Sequence, residues 1–429
     1  MELAILVTAL VVMIVLGAPM GVTMAILPAV YIFVTGELPL SAIPYQMFEG
    51  ISHAPLLAVP FFIFTAELMN SGEITERLLV LAREVVGRIR GGLAQMNVVG
   101  SMMFAAMNGS AVADVAAIGG VLIPAMKRAG YPGPFAAAIT AIGSTIGGIL
   151  PPSILLVLLA STMGMSIGSL FAAGIIPGLL VGFFLIAIIY VYAAKRNWGR
   201  YEEPFTFRAL ALAFLGAWAA LLIPTVIVGG IVLGIFTATE AGAIAVVVAF
   251  LTGVFLYRTL TPKVLSATLF RSVKVTSSVF FILAASGPFS WLLNRIGALQ
   301  GLEGFLMGYA QTPVLFVGIL ILLILLIGTV LEPVPCVVVL APTLVHVCVA
   351  AGFHEVQAAL VLSIGFIMGS VSPPVGVCYF TAATIAGEKI EKVGRAILPF
   401  LLVEIIVMVL IFLIPPITLG LPKFLGLVK

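Results

Sequence analysis

The segments "GGILPPSI" at 147–154 and "GSVSPPVG" at 369–376 decide the fold of this 429-residue chain. Each Pro-Pro pair interrupts an apolar stretch that otherwise reads as a membrane-spanning helix, and the two pairs lie 222 residues apart. Proline lacks an N–H and cannot pair the carbonyl four residues back. Pro151 and Pro152 are therefore expected to release the carbonyls of Gly147 and Gly148, and Pro373 and Pro374 those of Gly369 and Ser370. Unpaired backbone is costly in hydrocarbon, so it belongs where protein buries it or where it lines a polar cavity.

The rest of the chain is membrane protein throughout. Hydrophobic residues make up 62% and charged residues 9%, with a mean hydropathy of +1.29. Soluble domains carry about 25% charged residues. Apolar runs at 5–16, 170–194, 209–229, 241–257, 314–328 and 396–415 match the ~20 residues that cross a bilayer core. Solid apolar blocks, rather than short alternating segments, exclude a β-barrel. The expected fold class is an all-α polytopic membrane protein. "MELAILVTALVV" lacks the basic n-region and cleavage site of a secretory signal, so it reads as a retained span. Cys336, Cys348 and Cys378 sit in apolar surroundings without metal-type spacing and read as packing residues. His53, His346 and His354 are scattered and take no metal role.

The Pro-Pro stretches anchor an internal repeat. At an offset of 222, residues 129–152 pair with 351–374 and give nine identities in 24 positions, among them Gly143/Gly365, Gly147/Gly369, Pro151/Pro373 and Pro152/Pro374. Upstream an offset of 218 pairs "VLIP" (121–124) with "VLAP" (339–342), Asp114 with Glu332, and Arg77 with Arg295. Two homologous halves follow, 1–200 and 201–429. Charge orients them. Lys and Arg concentrate on cytoplasmic loops. With 76–92, 127–128, 195–208, 258–274 and 389–395 inside, 17 of the 20 basic residues are cytoplasmic, and only Arg295, Lys423 and Lys429 lie outside. The equivalent segments 76–92 and 294–311 then fall on opposite faces, which makes the repeat inverted.

The expected topology gives each half about five spans and one re-entrant hairpin. The spans fall near 3–16, 22–36, 54–70, 132–159 and 169–194, then near 209–228, 240–257, 275–292, 355–382 and 396–418. "GAPMG" (17–21) favours a turn between the first two, although 3–36 also reads as one long tilted helix. The hairpins fall at 93–126 and 312–346, too short for two crossings and a turn. The broken helices are 132–159 and 355–382.

Carbonyls beside hydroxyls suit a hard cation such as sodium, and inverted-repeat transporters hold substrate and coupling ions at discontinuous helices near the midplane. The sodium candidates are Ser110, Ser144, Thr145, Gly147, Gly148, Gly328, Gly369, Ser370 and Ser372, with the Ser153 hydroxyl nearby. The hairpin tips "MNGSAVAD" (107–114) and "IGTVLEPVP" (327–335) supply the substrate candidates Asn108, Gly109, Ser110, Thr329, Glu332 and Pro333. Helix N-termini at such tips would receive an anion. Blander readings stand beside these. A lone Pro-Pro is a structural kink, and Gly143 and Gly365 fit close helix packing. Asn108-Gly109-Ser110 matches a glycosylation acceptor by chance, and Asp114 and Glu332 fit caps of the returning hairpin helices. The arm 76–92 reads as an interfacial helix anchored by its arginines.

Paired hairpins, "GGILPPS", "GSVSPPVG", "APTL" (341–344) and "GIFTATEAGAI" (234–244) resemble the large membrane subunit of tripartite ATP-independent periplasmic (TRAP) transporters over about residues 3–420. The resemblance implies an elevator-type secondary transporter of the bacterial inner membrane. Its transport domain would hold both hairpins and both broken helices, and its scaffold the remaining spans. It implies sodium ions as coupling ions, a periplasmic substrate-binding protein (P type), a small four-helix membrane subunit (Q type) and no nucleic acid. Where related chains often carry Thr before the second Pro-Pro, this one carries Ser372, which keeps the hydroxyl. The substrate class implied is an organic acid. No Lys or Arg falls in the expected core, which favours sialic acid over a C4-dicarboxylate. The alternatives are a stand-alone sodium–dicarboxylate symporter, a membrane-embedded enzyme, for which no cluster of His, Asp or Glu is present, and a channel.

Overall fold

The computed structural model describes residues 2–428 apart from 37, 38, 73, 197 and 199–204, and gives only the backbone over 105–108. The side chain of Asn108, Lys429 and much of the basic loop 195–208 therefore lie outside the described residues. Within them the chain forms twenty α-helices and no strand, and eight helices are long and apolar enough to span a membrane.

In the first half, α1 (Glu2–Val15) and α2 (Met20–Thr35) turn at Gly17, whose φ of +85° suits glycine. The Tyr31 hydroxyl donates to Glu2 Oε2 at 3.2 Å, so the two helices run antiparallel. Residues 3–36 are thus two helices. The short α3 (Ala42–Ile51), α4 (Ala58–Ser71) and the amphipathic α5 (Ile74–Val86) follow. Then come the hairpin α6 (Gly92–Asn108) and α7 (Ala111–Arg128), and the broken helix α8 (Gly133–Ser144) and α9 (Ile154–Met163), closed by α10 (Ile167–Arg196). Between α8 and α9 a 3-10 turn covers Thr145–Gly148 before the Pro-Pro pair.

The second half runs through α11 (Phe207–Val232), α12 (Ala238–Leu251), α13 (Pro262–Arg295) and α14 (Ala298–Met307). The hairpin α15 (Pro313–Val330) and α16 (Pro333–Ala350) precedes the broken helix α17 (Glu355–Gly369) and α18 (Val377–Ala386). The long α19 (Ile390–Leu413) and short α20 (Pro415–Phe424) complete the chain. Within "TATEAG", Thr237 accepts from the Glu240 N–H while Glu240 accepts from the Thr237 N–H, so this stretch is a capping box that starts α12.

Two sequence expectations need correction. The basic stretch 258–274 is not mainly a loop, because α13 begins at Pro262 and runs for 34 residues, about 50 Å at the helical rise. The second concerns register. α7 starts at Ala111 and α16 at Pro333, and both contain 18 residues, so the offset of 222 continues through the hairpin. On that register Ser110 matches Glu332, each the residue before its helix, and Asp114 matches Cys336 one turn inside. The pairing of Asp114 with Glu332 at 218 is out by about one helical turn, beyond the one or two residues by which helix ends blur. Short identities among apolar residues mimic a register shift.

Between the two hairpins lie the broken helix α8–α9 and the helices α10 to α14, of which α10, α11, α12 and α13 are long and apolar enough to span a membrane. The halves interlock. The first hairpin packs on α8 and on α18 of the other half, while the second packs on α17 and on α9. α10 and α19 pack on each other and close over the broken helices. A second layer forms from α2, α3, α4, α12 and α13, which pack among themselves. Gly50 lets α3 approach α13, since a Cβ there would lie 3.2 Å from the Leu283 carbonyl oxygen.

Candidate functional site

The two hairpin tips and both helix breaks converge on one cavity of about 330 Å³. Gly109–Ala113 and Glu332–Val334 line it from the tips, Gly148 and Ile154 from the first break, and Ser370, Val377 and Cys378 from the second. α4 adds Ile63 and Glu67, and α13 adds Val275, Val279 and Ile282. The lining includes two carboxylates, Glu67 and Glu332, and no Lys, Arg or His among the described residues. Glu67 pairs at its outer side with Arg271 at 3.3 Å.

Local chemistry brings the tips and breaks this close. Gly109 turns the first hairpin at φ +59°, and a Cβ there would lie 2.8 Å from the Ile154 nitrogen, so only glycine seats this tip on the first break. At the second break, Gly328 and Gly369 meet backbone to backbone, with the position of a Gly328 Cβ 3.0 Å from Gly369 Cα. Pro333 opens α16 with Glu332 before it, a place where proline costs nothing because that N–H has no helical partner.

Three of the four carbonyls behind the prolines have partners. Gly148 O accepts from Ser153 Oγ at 3.0 Å. Gly369 O accepts from the Ser372 N–H at 3.1 Å, and Ser370 O from the Cys378 N–H at 2.9 Å. Side chains and turns replace the bonds that proline removes, and a carbonyl keeps a second lone pair for a cation. The hydroxyls show the same economy. Ser144 donates to Ala141 O and Ser370 to Ile367 O, both at 2.6 Å, while Ser372 donates to Met368 O at 2.7 Å and Thr329 to Leu326 O at 2.8 Å. A hydroxyl that donates backward along its own helix leaves its lone pairs pointing outward. Ser110, half-buried at the start of α7, makes no side-chain capping bond.

Two groups escaped the sequence reading, and one more, Asp114, was named there only at the hairpin tip and as a fit for a cap. Asp114 is fully buried, and neither carboxylate oxygen has a hydrogen-bond partner among the described residues. It caps nothing. Glu332 likewise makes no side-chain cap. Beside Asp114 lie Ser101 and, across from Gly143, Asn97 and Ser101 together: a Gly143 Cβ would be 3.4 Å from Ser101 Oγ and 3.7 Å from Asn97 Oδ1. Both oxygens are buried and unpartnered, although Asn97 Nδ2 donates to Thr140 Oγ1 at 2.7 Å. Four orphan oxygens thus gather where α6 and α7 pack on α8, one residue from Ser144. The third group is Glu404 on α19, buried against the hydroxyl of Thr145, with Oε2 unpartnered. An acid inside "LPFLLVEIIVMVLIF" (398–412) was legible as a group requiring a function. Cys378, read from sequence as a packing residue, lines the cavity and meets the Ser370 hydroxyl at 3.4 Å.

The arrangement offers oxygen ligands and, among the described residues lining the cavity, no fixed cation. The profile of the "Tripartite ATP-independent periplasmic transporter, DctM component" family matches residues 7–417. The chain is 34% identical over 417 residues to the sialic acid TRAP transporter large permease protein SiaM of Vibrio cholerae, covering 96% of each. It is 33% identical over 382 residues to the C4-dicarboxylate TRAP transporter large permease protein DctM of Pseudomonas aeruginosa, covering 89% of each. It is 31% identical over 400 residues to the 2,3-diketo-L-gulonate TRAP transporter large permease protein YiaN of Escherichia coli, covering 93% of this chain and 94% of that one. Among solved structures, the YdaH transporter of Alcanivorax borkumensis shares the fold, with a TM-score of 0.60 at 14% identity over 91% of this chain and 90% of that one. The chain belongs to the DctM-component family of tripartite ATP-independent periplasmic transporters, and is a multi-pass large permease of the bacterial inner membrane rather than an enzyme.

Proposed function

We propose that this permease carries an organic acid across the inner membrane together with sodium, by an elevator movement of the body that holds the hairpins and broken helices. The cavity at the two tips is the substrate site, and the first cation sits among Asn97, Ser101, Asp114 and the Ser144 region. One observation carries the reading: a fully buried carboxylate that, among the described residues, has the Ser101 hydroxyl beside it, no ion-pair partner, and further unpartnered oxygens close by. Leaving such a charge uncompensated costs several kcal/mol, on the order given for a broken buried ion pair. A bound sodium ion removes that cost. It also supplies the positive charge that an organic acid needs in a cavity whose own ionisable residues are Glu67 and Glu332.

Asn108, Gly109, Ser110, Thr329, Glu332 and Pro333 remain the proposed substrate contacts. Ser110, Ser144, Thr145, Gly147 and Gly148 at the first break, and Gly328, Gly369, Ser370 and Ser372 at the second, remain the proposed sodium ligands. The moving body is the one built from the hairpins and broken helices, α6–α9 and α15–α18; the frame contains the remaining spans, among them α2, α4, α10–α13 and α19. With the arginine-rich ends inside, Glu67, paired with Arg271, marks the cytoplasmic end of the cavity. Relatives named for sialic acid and for C4-dicarboxylates stand at nearly equal identity, 34% and 33%. The cavity's lack of a fixed cation favours an acid with one carboxylate, such as sialic acid. A periplasmic binding protein and a small membrane subunit complete the proposed system.

The test is uptake of labelled sialic acid and succinate into proteoliposomes under an inward sodium gradient, with and without a small subunit and binding protein. Sialic acid uptake that requires sodium and all three components is expected. Sodium-driven uptake by the chain alone would replace the tripartite reading with a stand-alone symporter, and uptake without sodium would overturn the coupling.

A further inference from the structure

A second cavity, of about 360 Å³, opens away from the hairpins, between α5 and α11. Its walls differ in chemistry. α5 contributes Arg77, Arg83 and Glu84, while α11 contributes Leu212, Ala213 and Gly216. Glu84 is buried and already shared by two arginines, Arg83 at 3.3 Å and Arg88 at 2.8 Å. Arg77 pairs with no carboxylate among the described residues. The guanidinium of Arg77 is nonetheless held in place. It stacks 4.2 Å from the centroid of the Tyr257 ring, and the Tyr257 hydroxyl donates to Gly216 O at 2.9 Å. Gly216 faces the guanidinium, and a Cβ there would make only ordinary contact at 3.9 Å from Arg77 Nη1.

The cavity therefore presents the oriented guanidinium of Arg77 beside an acid, Glu84, that two other arginines already share. Next to the charge the surface is apolar and open. Leu212 and Leu215 on α11 and Val80 on α5 are all exposed. A ligand that satisfies both walls has an anionic head and apolar tails. An arginine fork pairs a phosphate oxygen pair more closely than any point cation does, and basic pockets between membrane helices receive phospholipid headgroups. We infer that this cavity binds the phosphate headgroup of an anionic phospholipid, with acyl chains along Val80, Leu212 and Leu215. The consequence reaches the transport machinery through α5, which packs on both α11 and α6, the first helix of the hairpin. A lipid lodged there braces this arm against the frame.

The inference is independent of sodium and of substrate, and binding tests it directly. The purified full chain in detergent is titrated with phosphatidylglycerol, phosphatidylcholine or inorganic phosphate, with bound lipid read by native mass spectrometry and stability by thermal unfolding. Phosphatidylglycerol is expected to bind and raise the unfolding temperature, with phosphatidylcholine at least tenfold weaker. Arg77→Gln should weaken phosphatidylglycerol at least tenfold. Gly216→Leu, which fills the cavity and keeps the charge, should do the same. Arg258→Gln, at a basic position that does not line the cavity, should leave binding unchanged. Equal phosphatidylglycerol binding by wild type, Arg77→Gln and Gly216→Leu would overturn the site. Stabilisation by inorganic phosphate without any by phosphatidylglycerol would overturn the lipid assignment.

Discussion

The two helix breaks share a backbone device and differ in chemistry. At the first, a hairpin tip rests on the chain after the prolines, and a buried carboxylate with two further unpartnered oxygens lies just behind it. At the second, two glycines touch backbone to backbone, the freed carbonyls are paired by Ser372 and Cys378, and the acid Glu332 stands at the tip rather than inside. On the structural register Asp114 matches Cys336, so the first hairpin carries a carboxyl where the second carries a thiol. On the proposed function the first break holds a cation, and the second keeps its shape while presenting Glu332 to the cavity.

The largest expected effect falls on Asp114. Asp114→Asn should raise the sodium concentration for half-maximal uptake by tenfold or more, about 1.4 kcal/mol or greater in binding, without loss of folded protein. Glu332→Gln should instead alter the substrate concentration dependence and leave that for sodium nearly intact. Steric tests come next. Gly369→Ala drives a methyl group into the Gly328 backbone, whereas Gly148→Ala meets the end of the Ile367 side chain, which can turn aside. The first should cost ~2–3 kcal/mol and the second ~1 kcal/mol, within the range for overpacked cores, as read by thermal unfolding. Equal losses would show that the second break is no more rigid than the first.

Glu404 gives a smaller effect. Glu404→Gln keeps a partner for the Thr145 hydroxyl and should be nearly neutral in stability. Glu404→Ala leaves that hydroxyl facing a void and should cost about 1–3 kcal/mol.

The smallest effect is at the outer end of α17. His354 Nδ1 accepts from the Val356 N–H at 3.2 Å, which requires the neutral ring. Partial burial and then Lys423 hold its pKa below the usual 6.5, against a smaller opposing pull from Glu355. A depressed histidine contributes stability that is present above pH 6.5 and lost as the pH falls through its lower folded value. Acidification from pH 7 should therefore increase hydrogen exchange at the first turn of α17, and His354→Asn, which caps without titrating, should abolish that dependence.

Much of this was legible in the sequence, for identifiable reasons. Apolar blocks of membrane length and two Pro-Pro pairs at one offset are local signals, and they gave the spans, the hairpins and the convergence of tips with breaks. Partnering is not local. Whether Gly148 O is free depends on the rotamer of Ser153, and whether Asp114 is paired depends on how α6 and α7 seat on α8. Asn97 and Ser101 hid inside "GLAQMNVVGSMMF" (92–104) because a polar residue in an apolar helix acquires meaning only from its neighbour across the interface. The register of the first hairpin was lost for a related cause: identities such as Val-Leu and Pro recur by chance in apolar helices, and only the helix starts resolve the slip. α3 buries no residue fully, and its place is set by the glycine contacts with α13.

The most direct test of the account is a sodium titration of uptake in proteoliposomes, comparing wild type, Asp114→Asn and Glu332→Gln at matched amounts of folded protein. The account predicts a shift of tenfold or more in half-maximal sodium for Asp114→Asn and little or none for Glu332→Gln. The same sodium dependence for wild type and Asp114→Asn would contradict it, and would remove the cation from the first break.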